Sequence, residues 1–233
     1  MEVAVLFSGG KDSTLAIEHC KERGYDIKYL LSVKPSRRDC YLFHFATVEH
    51  TPLLADAMGF KHILVGCDVS DPMKEAQIIH DVVKKNPVDA VVLGGVGLQA
   101  TQIKSVREAL FPLGVEVFAS HKDQDNARLI EDMIDRGYEI IITEVAADGL
   151  TESWLGATLT RENFDELKAL ADKFGFHSGG EGGHYNSFTA DGPIFRKRVK
   201  VLSSEPVMEG ECDGYLRVTD LKVVNKEIQA IYR

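Results

Sequence analysis

The fold of this chain is decided by the stretch VAVLFSGGKDS, at residues 3–13. Its apolar part, Val3–Phe7, is typical of a buried strand, and the pair Gly9-Gly10 ends that strand in a tight turn. From Asp12 onward, apolar residues recur at helical spacing until Gly24 interrupts the pattern. The stretch therefore predicts a buried strand, a glycine turn and a helix in direct succession.

The next hundred residues repeat this alternation. We expect strands at 27–33, 63–65, 89–93 and 115–118, and helices at 49–58, 73–85 and 99–110. Strands that alternate with helices at this spacing form a mostly parallel sheet with helices on both faces, which is a doubly wound α/β fold. Such sheets bind ligands at the carboxyl ends of their strands, so the loops at 8–13 and 94–99 should open on the same edge.

The pattern changes after about residue 120. The sequence predicts a helix at 126–136, a strand at 139–145 and a helix at 163–174 that Asn163 would open through a capping box. A glycine-dense stretch, 178–183, precedes β-type segments at 196–202, 206–209 and 215–224. We therefore expect two domains: an α/β domain at 1–125, and a smaller α+β domain at 126–233 that closes a cleft against it.

Composition excludes several classes of protein. The 233 residues are 44% hydrophobic and 27% charged, which excludes a disordered tail, a fibre and a disulfide-stapled miniature. The net charge of −9 gives no general attraction to nucleic acid or to an anionic membrane. The chain opens directly into its first strand, and no apolar run approaches the ~20 residues of a membrane helix. We expect a soluble, cytoplasmic protein without a membrane or nucleic-acid partner.

The four cysteines do not form a metal or disulfide pattern. Cys20, Cys40, Cys67 and Cys212 lie far apart, and no CxxC pair or Cys/His pair at zinc spacing is present. They are interpreted as buried or idle thiols of a protein in a reducing compartment.

The motif SGGKDS, at residues 8–13, indicates a phosphate-binding loop. Its glycines let the backbone approach a ligand closely, and the first N–H groups of the following helix form an anion site. Lys11 adds a positive charge, while Ser8 and Ser13 add hydroxyl donors. Asp12 could cap the helix or hold Mg²⁺ through the phosphates. The motif lacks the spacing of a Walker A loop and the GxGxxG of a dinucleotide fold.

At these residues the sequence resembles the PP-loop ATP pyrophosphatases, whose hallmark is SGGxDS after the first strand. The resemblance implies the HUP-type α/β fold, ATP and Mg²⁺ as cofactors, and cleavage of ATP between its α- and β-phosphates. A carboxyl or carbonyl oxygen would be activated as an adenylate. It also implies that Ser8, Gly9, Gly10, Lys11, Asp12 and Ser13 bind the nucleotide. Two further nucleotide contacts are expected: Gln99, which keeps the glutamine of a YQxxRxE motif, and His44, for which a half-buried strand histidine is the alternative.

A second resemblance narrows the family. The stretch GEGGHYNSFTADGPIF at 180–195 is similar to the GEGGEYETFxxDxPLF signature of the diphthine–ammonia ligases, and 145–150 with 155–159 are similar to their VAAxGL…LGxxL segment. The similarities extend from residue 1 to about residue 202. They imply that ATP adenylates the carboxylate of diphthine on translation elongation factor 2 and that ammonium provides the nitrogen of the amide. Lys11, Asp12 and Glu181 are the implied catalytic residues, and the acceptor side would comprise Glu181, Gly182, Gly183, His184, Tyr185 and Asn186.

The chain departs from the family signature at several positions. His184 and Asn186 stand where two glutamates are expected, and Glu144 stands where many relatives have lysine. Gln102 and Lys104 replace an arginine and a glutamate of the family's YQxxRxE motif. These departures leave open a divergent subgroup with the same reaction or one with another acceptor carboxylate.

Two other functions are weighed against the ligase. One is a PP-loop enzyme that acts on a tRNA base, which the acidic net charge and the missing cysteine pair disfavour. The other is a module that binds ATP without turning it over, which the complete SGGKDS motif disfavours. The oligomeric state, including a homodimer, is left open.

Overall fold

The structure, a computed structural model, describes residues 1–36, 47–95, 100–121 and 124–226. A parallel sheet of five strands occupies the centre of the first half, in the order β3-β2-β1-β4-β5. Its strands are β1 (Glu2–Leu6), β2 (Asp26–Pro35), β3 (His62–Cys67), β4 (Ala90–Leu93) and β5 (Glu116–Ala119). The apolar β1 lies in the middle, so the loop that follows it opens at the centre of the carboxyl edge.

Helices cover both faces of this sheet. They are α1 (Lys11–Glu22), α2 (Thr51–Met58), α3 (Pro72–Lys85) and α4 (Ala100–Leu110). Alternate residues of β1 point to opposite faces: Val3 and Val5 pack with α1 and α2, whereas Ala4 packs with α3 and α4. The predicted doubly wound α/β fold is confirmed.

The second half is a smaller α+β unit. Its elements are α5 (Asn126–Asp135), β6 (Glu139–Ala146), α6 (Arg161–Phe174), β7 (Tyr185–Asp191), β8 (Lys197–Met208) and β9 (Asp213–Asn225). The four strands form an antiparallel sheet in the order β7-β6-β9-β8. The β8–β9 hairpin is mostly exposed to solvent, while β6 and β7 are mostly buried.

The two halves share one hydrophobic core. Val5 and Phe7 of the first half belong to the same buried cluster as Ile140 and Phe188 of the second. Outside the core, the buried carboxylate of Glu18 in α1 forms an ion pair with Arg136, which follows α5. The antiparallel sheet is therefore packed directly on the α1 and α2 face of the parallel sheet.

The second half differs from the sequence predictions in three places. Residues 185–191 form strand β7, where the sequence analysis assigned no element. The segments expected at 196–202 and 206–209 are one strand, β8; Pro206 is tolerated because β8 is at the edge of its sheet. The N-cap of α6 is Thr160, and Asn163 is the residue that closes the capping box.

Within the described residues, no helix is long and apolar enough to cross a membrane. Cys20 and Cys67 are buried free thiols, and Cys212 is a partly exposed one. Cys40 lies outside the described residues.

Candidate active site

The SGGKDS loop connects β1 to α1 in a tight turn. Gly9 has a φ of +84°, which favours glycine, and Gly10 is the N-cap of α1. A Cβ atom on Gly10 would lie 2.9 Å from the carbonyl oxygen of Ser187. Both serine hydroxyls face the loop itself: Ser13 donates to the carbonyl oxygen of Gly10 over 3.0 Å, and Ser8 Oγ lies 3.2 Å from Ser13 Oγ. The loop is therefore closed by its own polar groups.

Lys11 and Asp12 form an ion pair at the start of α1. Lys11 Nζ lies 2.9 Å from Asp12 Oδ2, and Lys11 is only 3% exposed. Burial opposes the charged lysine, but the surrounding negative groups, first among them the Asp12 carboxylate, together outweigh burial and raise the pKa of Lys11. Burial likewise opposes the ionised carboxylate, but the charge of Lys11 holds the pKa of Asp12 well below its usual range. Both groups are charged at neutral pH, and Asp12 does not cap the helix as one interpretation of the motif expected.

The glycine-dense stretch forms a loop that lies against this ion pair. The loop is held by its own turns, in which Gly180 N–H donates to the carbonyl oxygen of His177 over 2.8 Å. Glu181 is 3% exposed, and its Oε1 accepts a hydrogen bond from Asn126 Nδ2 over 3.3 Å. Its negative charge contributes to the raised pKa of Lys11. The loop thus brings a buried carboxylate close to the lysine of the phosphate-binding motif.

Tyr185 packs beside the same lysine. Its ring centroid lies 5.1 Å from Lys11 Nζ, a cation–π distance, and its hydroxyl donates to the carbonyl oxygen of Ser178 over 2.9 Å. Burial raises the pKa of Tyr185 to about 12, although Lys11 opposes that shift. The tyrosine is therefore neutral and joins the glycine loop to the phosphate-binding loop.

Strand β7 also attaches to the phosphate-binding loop through its backbone. Thr189 N–H donates to the carbonyl oxygen of Gly9 over 2.8 Å, and Lys11 N–H donates to the hydroxyl oxygen of Ser187 over 3.2 Å. These bonds join residues that are 180 and 176 positions apart in the chain. The second half of the protein thus holds the SGGKDS loop in place.

The carboxyl ends of β4 and β5 complete the floor of the site. A Cβ atom on Gly94 would lie 2.5 Å from the carbonyl carbon of Asp12, so only glycine fits there. Gly95 N–H donates to Nε2 of the fully buried His121 over 2.9 Å, and the same Nε2 lies 3.9 Å from Asp12 Oδ1. The bond from Gly95 fixes the neutral tautomer of His121, with its proton on Nδ1, 2.7 Å from Ser120 Oγ. The expected meeting of these two loops is confirmed for Gly94 and Gly95.

Two histidines stand at the ends of the glycine loop. His184 Nδ1 accepts from His177 N–H over 3.1 Å, and His177 Nδ1 accepts from Gly179 N–H over 3.2 Å. Because backbone N–H groups can only donate, both neutral rings carry their proton on Nε2. Burial, followed by the charge of Lys11, lowers the pKa of His177.

The structure brings together most of the predicted site residues. Those that meet around the Lys11 side chain are the loop Ser8–Ser13, Glu181 and Tyr185. Gly182 and Gly183 form an exposed turn with positive φ. Asn186 points to the opposite face of β7, where its Nδ2 donates to Glu144 Oε2 over 2.6 Å. The predicted nucleotide contacts His44 and Gln99 lie outside the described residues.

Three residues of the site were missed by the sequence analysis. They are His121, Asn126 and Ser187, which contact Gly95, Glu181 and Lys11. His121 follows β5 at the carboxyl edge of the sheet, so the rule that ligands bind at this edge could have indicated it. Ser187 lies inside the quoted signature, but Asn126 has no sequence signal of its own.

The SGGKDS loop provides one carboxylate, that of Asp12, as a possible ligand for a metal ion. Among the described residues, no cluster of three or more His, Cys, Asp or Glu side chains could hold a metal ion. Asp12 keeps 27% of its side chain exposed. A single carboxylate fits Mg²⁺ that is bound mainly by substrate phosphates, because this ion usually takes one or two protein carboxylates.

Comparisons with known proteins agree with this geometry. A family model described as the diphthamide synthase N-terminal domain matches residues 1–110, and one described as the diphthamide synthase C-terminal domain matches residues 125–224.

Curated relatives match along nearly the whole chain. A diphthine–ammonia ligase of Danio rerio is 29% identical over 97% of this chain and 98% of its own length. The Mus musculus enzyme of the same name is 29% identical over 96% of this chain and 91% of its own length. The Schizosaccharomyces pombe enzyme is 30% identical over 90% of this chain, which corresponds to 37% of that longer protein.

Proposed function

This chain belongs to the diphthamide synthase family, and we propose that it is a ligase that uses ATP to convert the carboxylate of diphthine into an amide. The observation that carries the proposal is the arrangement around Lys11. The lysine of the phosphate-binding loop is held between Asp12 and Tyr185, and Glu181 acts on it from the glycine loop. A nucleotide and an acceptor bound on either side of Lys11 would meet there.

The reaction divides into two steps. In the first, the acceptor carboxylate attacks the α-phosphorus of ATP, the bond to the β-phosphate oxygen breaks and pyrophosphate leaves. In the second, ammonia attacks the activated carbonyl carbon and AMP leaves. Both steps depend on holding two reactants in line and on neutralising phosphate charge, which are effects of positioning and electrostatics.

The chain's own residues have distinct parts in this scheme. The Lys11 ammonium binds the departing pyrophosphate at the start of α1, while the Lys11 N–H donates to Ser187. Asp12 keeps Lys11 charged and in place, and it would hold Mg²⁺ together with phosphate oxygens; the ion would neutralise their charge. Glu181 is the carboxylate that takes a proton from ammonium, because ammonium has no free electron pair for attack.

The acceptor side in this proposal comprises the end of the glycine loop and the start of β7, at Gly182, Gly183, His184 and Tyr185. Asn186, which the family signature also implied, points to the opposite face of β7 and is not part of it. In this proposal the domain at residues 1–125 binds ATP, and the domain at residues 126–233 binds diphthine on elongation factor 2. The enzyme and its protein substrate, elongation factor 2, would meet in the cytoplasm.

The test is a reconstitution with Mg-ATP, ammonium and an elongation factor that carries diphthine. We expect pyrophosphate release together with the mass change from carboxylate to amide. D12A should abolish both, and D26A, which removes an exposed aspartate at the start of β2, should abolish neither. Pyrophosphate release only with a tRNA acceptor would overturn the assignment of the substrate. ATP binding without turnover for any acceptor would overturn the assignment as an enzyme.

A further inference from the structure

Asn126 contacts the proposed proton acceptor from the start of α5. Its side chain is buried, with 5% of the residue exposed, and its Nδ2 donates to Glu181 Oε1 over 3.3 Å. The two residues are 55 positions apart in the chain. A buried carboxylate is thus oriented by an amide from another element.

Asn126 also limits the position of the glycine loop. A Cβ atom on Gly179 would lie 2.1 Å from Asn126 Oδ1, so the amide fills the space that a side chain at 179 would need. The loop cannot move toward α5 without displacing Asn126. The amide therefore fixes both the backbone beside Glu181 and the direction of its carboxylate.

The side-chain amide of Asn126 would lower stability if its role were purely structural. Within the described part of the chain, Asn126 Oδ1 is buried and accepts no hydrogen bond. A buried carbonyl oxygen without a donor lowers stability, and an apolar side chain of similar size would avoid that cost. The hydrogen bond that offsets this cost is the one that the N–H of the amide donates to Glu181.

We propose that Asn126 is a positioning residue that holds the Glu181 carboxylate ionised and directed toward the ammonium substrate beside Lys11. This inference rests on the proposed function. An N–H donor stabilises the ionised carboxylate, which is the form that accepts a proton. Glu181 then takes one proton from ammonium, and the nitrogen electron pair forms the C–N bond. The C–O bond to AMP breaks, the electron pair of that C–O bond leaves with AMP, and the second proton passes from nitrogen to water.

Three variants test this role in the full-length protein. N126A removes the donor, and N126D replaces it by a second carboxylate of nearly the same shape. D125A is the matched control, because it removes the N-cap bond from Arg128 N–H at the same end of α5 without touching Glu181. Amide formation is measured against pH and ammonium concentration, and the KM for ATP is measured in parallel.

We expect N126A to lower kcat for amide formation about tenfold while the KM for ATP changes less than about twofold. N126D should move the acidic limb of the pH profile up by about one unit, because a like charge favours protonated Glu181. D125A should lower stability and leave the profile in place. Equal kcat losses in N126A and D125A, or an unmoved profile in N126D, would overturn the inference.

A second measurement separates this inference from the proposed function. If the wild-type protein forms no amide, the function fails, but urea unfolding of N126A, E181Q and the double variant still tests the contact. The contact is supported if the double variant changes the unfolding equilibrium constant by less than the product of the two single-variant factors. If the double-variant factor equals that product, the two residues are independent and the inference is overturned.

Discussion

Lys11 N–H donates a hydrogen bond to the hydroxyl oxygen of Ser187, which lies 176 residues later in the chain, over 3.2 Å. Lys11 begins α1, and Ser187 is in the middle of β7. The phosphate-binding loop is thus held by a side chain of the antiparallel sheet. In the proposed function, the half that would bind the acceptor therefore positions the loop that would bind ATP.

The first prediction concerns that hydrogen bond. S187A removes the acceptor of Lys11 N–H, and a neutral hydrogen bond contributes about 1 kcal/mol, so we expect the KM for ATP to rise about fivefold. S187T keeps the hydroxyl and should stay within about twofold of wild type. Steady-state pyrophosphate release against ATP concentration measures both. An unchanged KM in S187A would show that the bond does not shape the nucleotide site.

A second prediction concerns the Lys11–Asp12 ion pair. K11M leaves the Asp12 carboxylate beside a buried apolar group, and we expect the free energy of unfolding to fall by about 2 kcal/mol, since Asp12 is partly exposed. K11M/D12N removes both charges and should be more stable than K11M. Both variants should be inactive. Urea unfolding and pyrophosphate release are the measurements, and equal stability of the two variants would contradict the pairing.

A third prediction uses the close approach of Gly94 to the phosphate-binding loop. G94A places a methyl group 2.5 Å from the backbone of Asp12, and we expect at least a tenfold loss of kcat/KM for ATP because the loop must shift. G210A is the matched control, because its Cβ atom would make only an ordinary contact of 3.6 Å. Near-normal activity of G94A would mean that the loop tolerates the shift.

A fourth prediction concerns pH and His62. Burial lowers the pKa of His62 to about 4, whereas an unfolded histidine titrates near 6.5. Below pH 6.5 the unfolded chain therefore binds a proton that the native protein does not bind. Stability should be greatest above pH 6.5 and fall as the pH decreases toward 4.

H62Q tests this dependence. Removing the titrating ring should make the slope of unfolding free energy against pH shallower between 6.5 and 4. A residual slope will remain, because burial also lowers the pKa of His19 and of His177. The midpoint of urea unfolding at several pH values measures the slope, and an NMR titration of His62 measures its pKa. An identical slope in wild type and H62Q would show that His62 does not contribute.

A fifth prediction concerns two departures from the family signature. Glu144 and Asn186 are partners in the β6–β7 register, and Asn186 Nδ2 donates to Glu144 Oε2 over 2.6 Å. N186E would place a second carboxylate directly opposite that of Glu144, and this repulsion should lower the unfolding free energy by about 1 kcal/mol. E144K/N186E would create an opposite-charge pair and should regain that loss. Thermal unfolding of both variants decides whether the two positions are coupled.

This contact changes the interpretation of the departures themselves. From the sequence, Glu144 and Asn186 were two separate deviations, because they are 42 positions apart and belong to different segments. In the structure they are one contact. They lie on the face of β7 opposite Ser187, which contacts the phosphate-binding loop. Their substitution is therefore compatible with an unchanged reaction at Lys11.

The sequence predicted the parallel sheet well, because the spacing of apolar residues and the glycines that end a strand or helix are local signals. The run from Val3 to Phe7 and the glycines after it determine one strand and one turn without reference to the rest of the chain. Strand β7 was not expected, because its mixed polar and apolar residues pack on both faces and do not alternate cleanly. The contacts of Asn126 and His121 depend on tertiary packing, which has no local period.

The anchoring of the phosphate-binding loop by β7 also has a consequence during synthesis on the ribosome. The loop and α1 leave the ribosome early, but Ser187 and Thr189 follow only after about 9 to 35 s at 5–20 residues per second. Until then the loop lacks the two hydrogen bonds that connect it to the acceptor half. The nucleotide site that we propose would therefore be completed only after most of the chain has been translated.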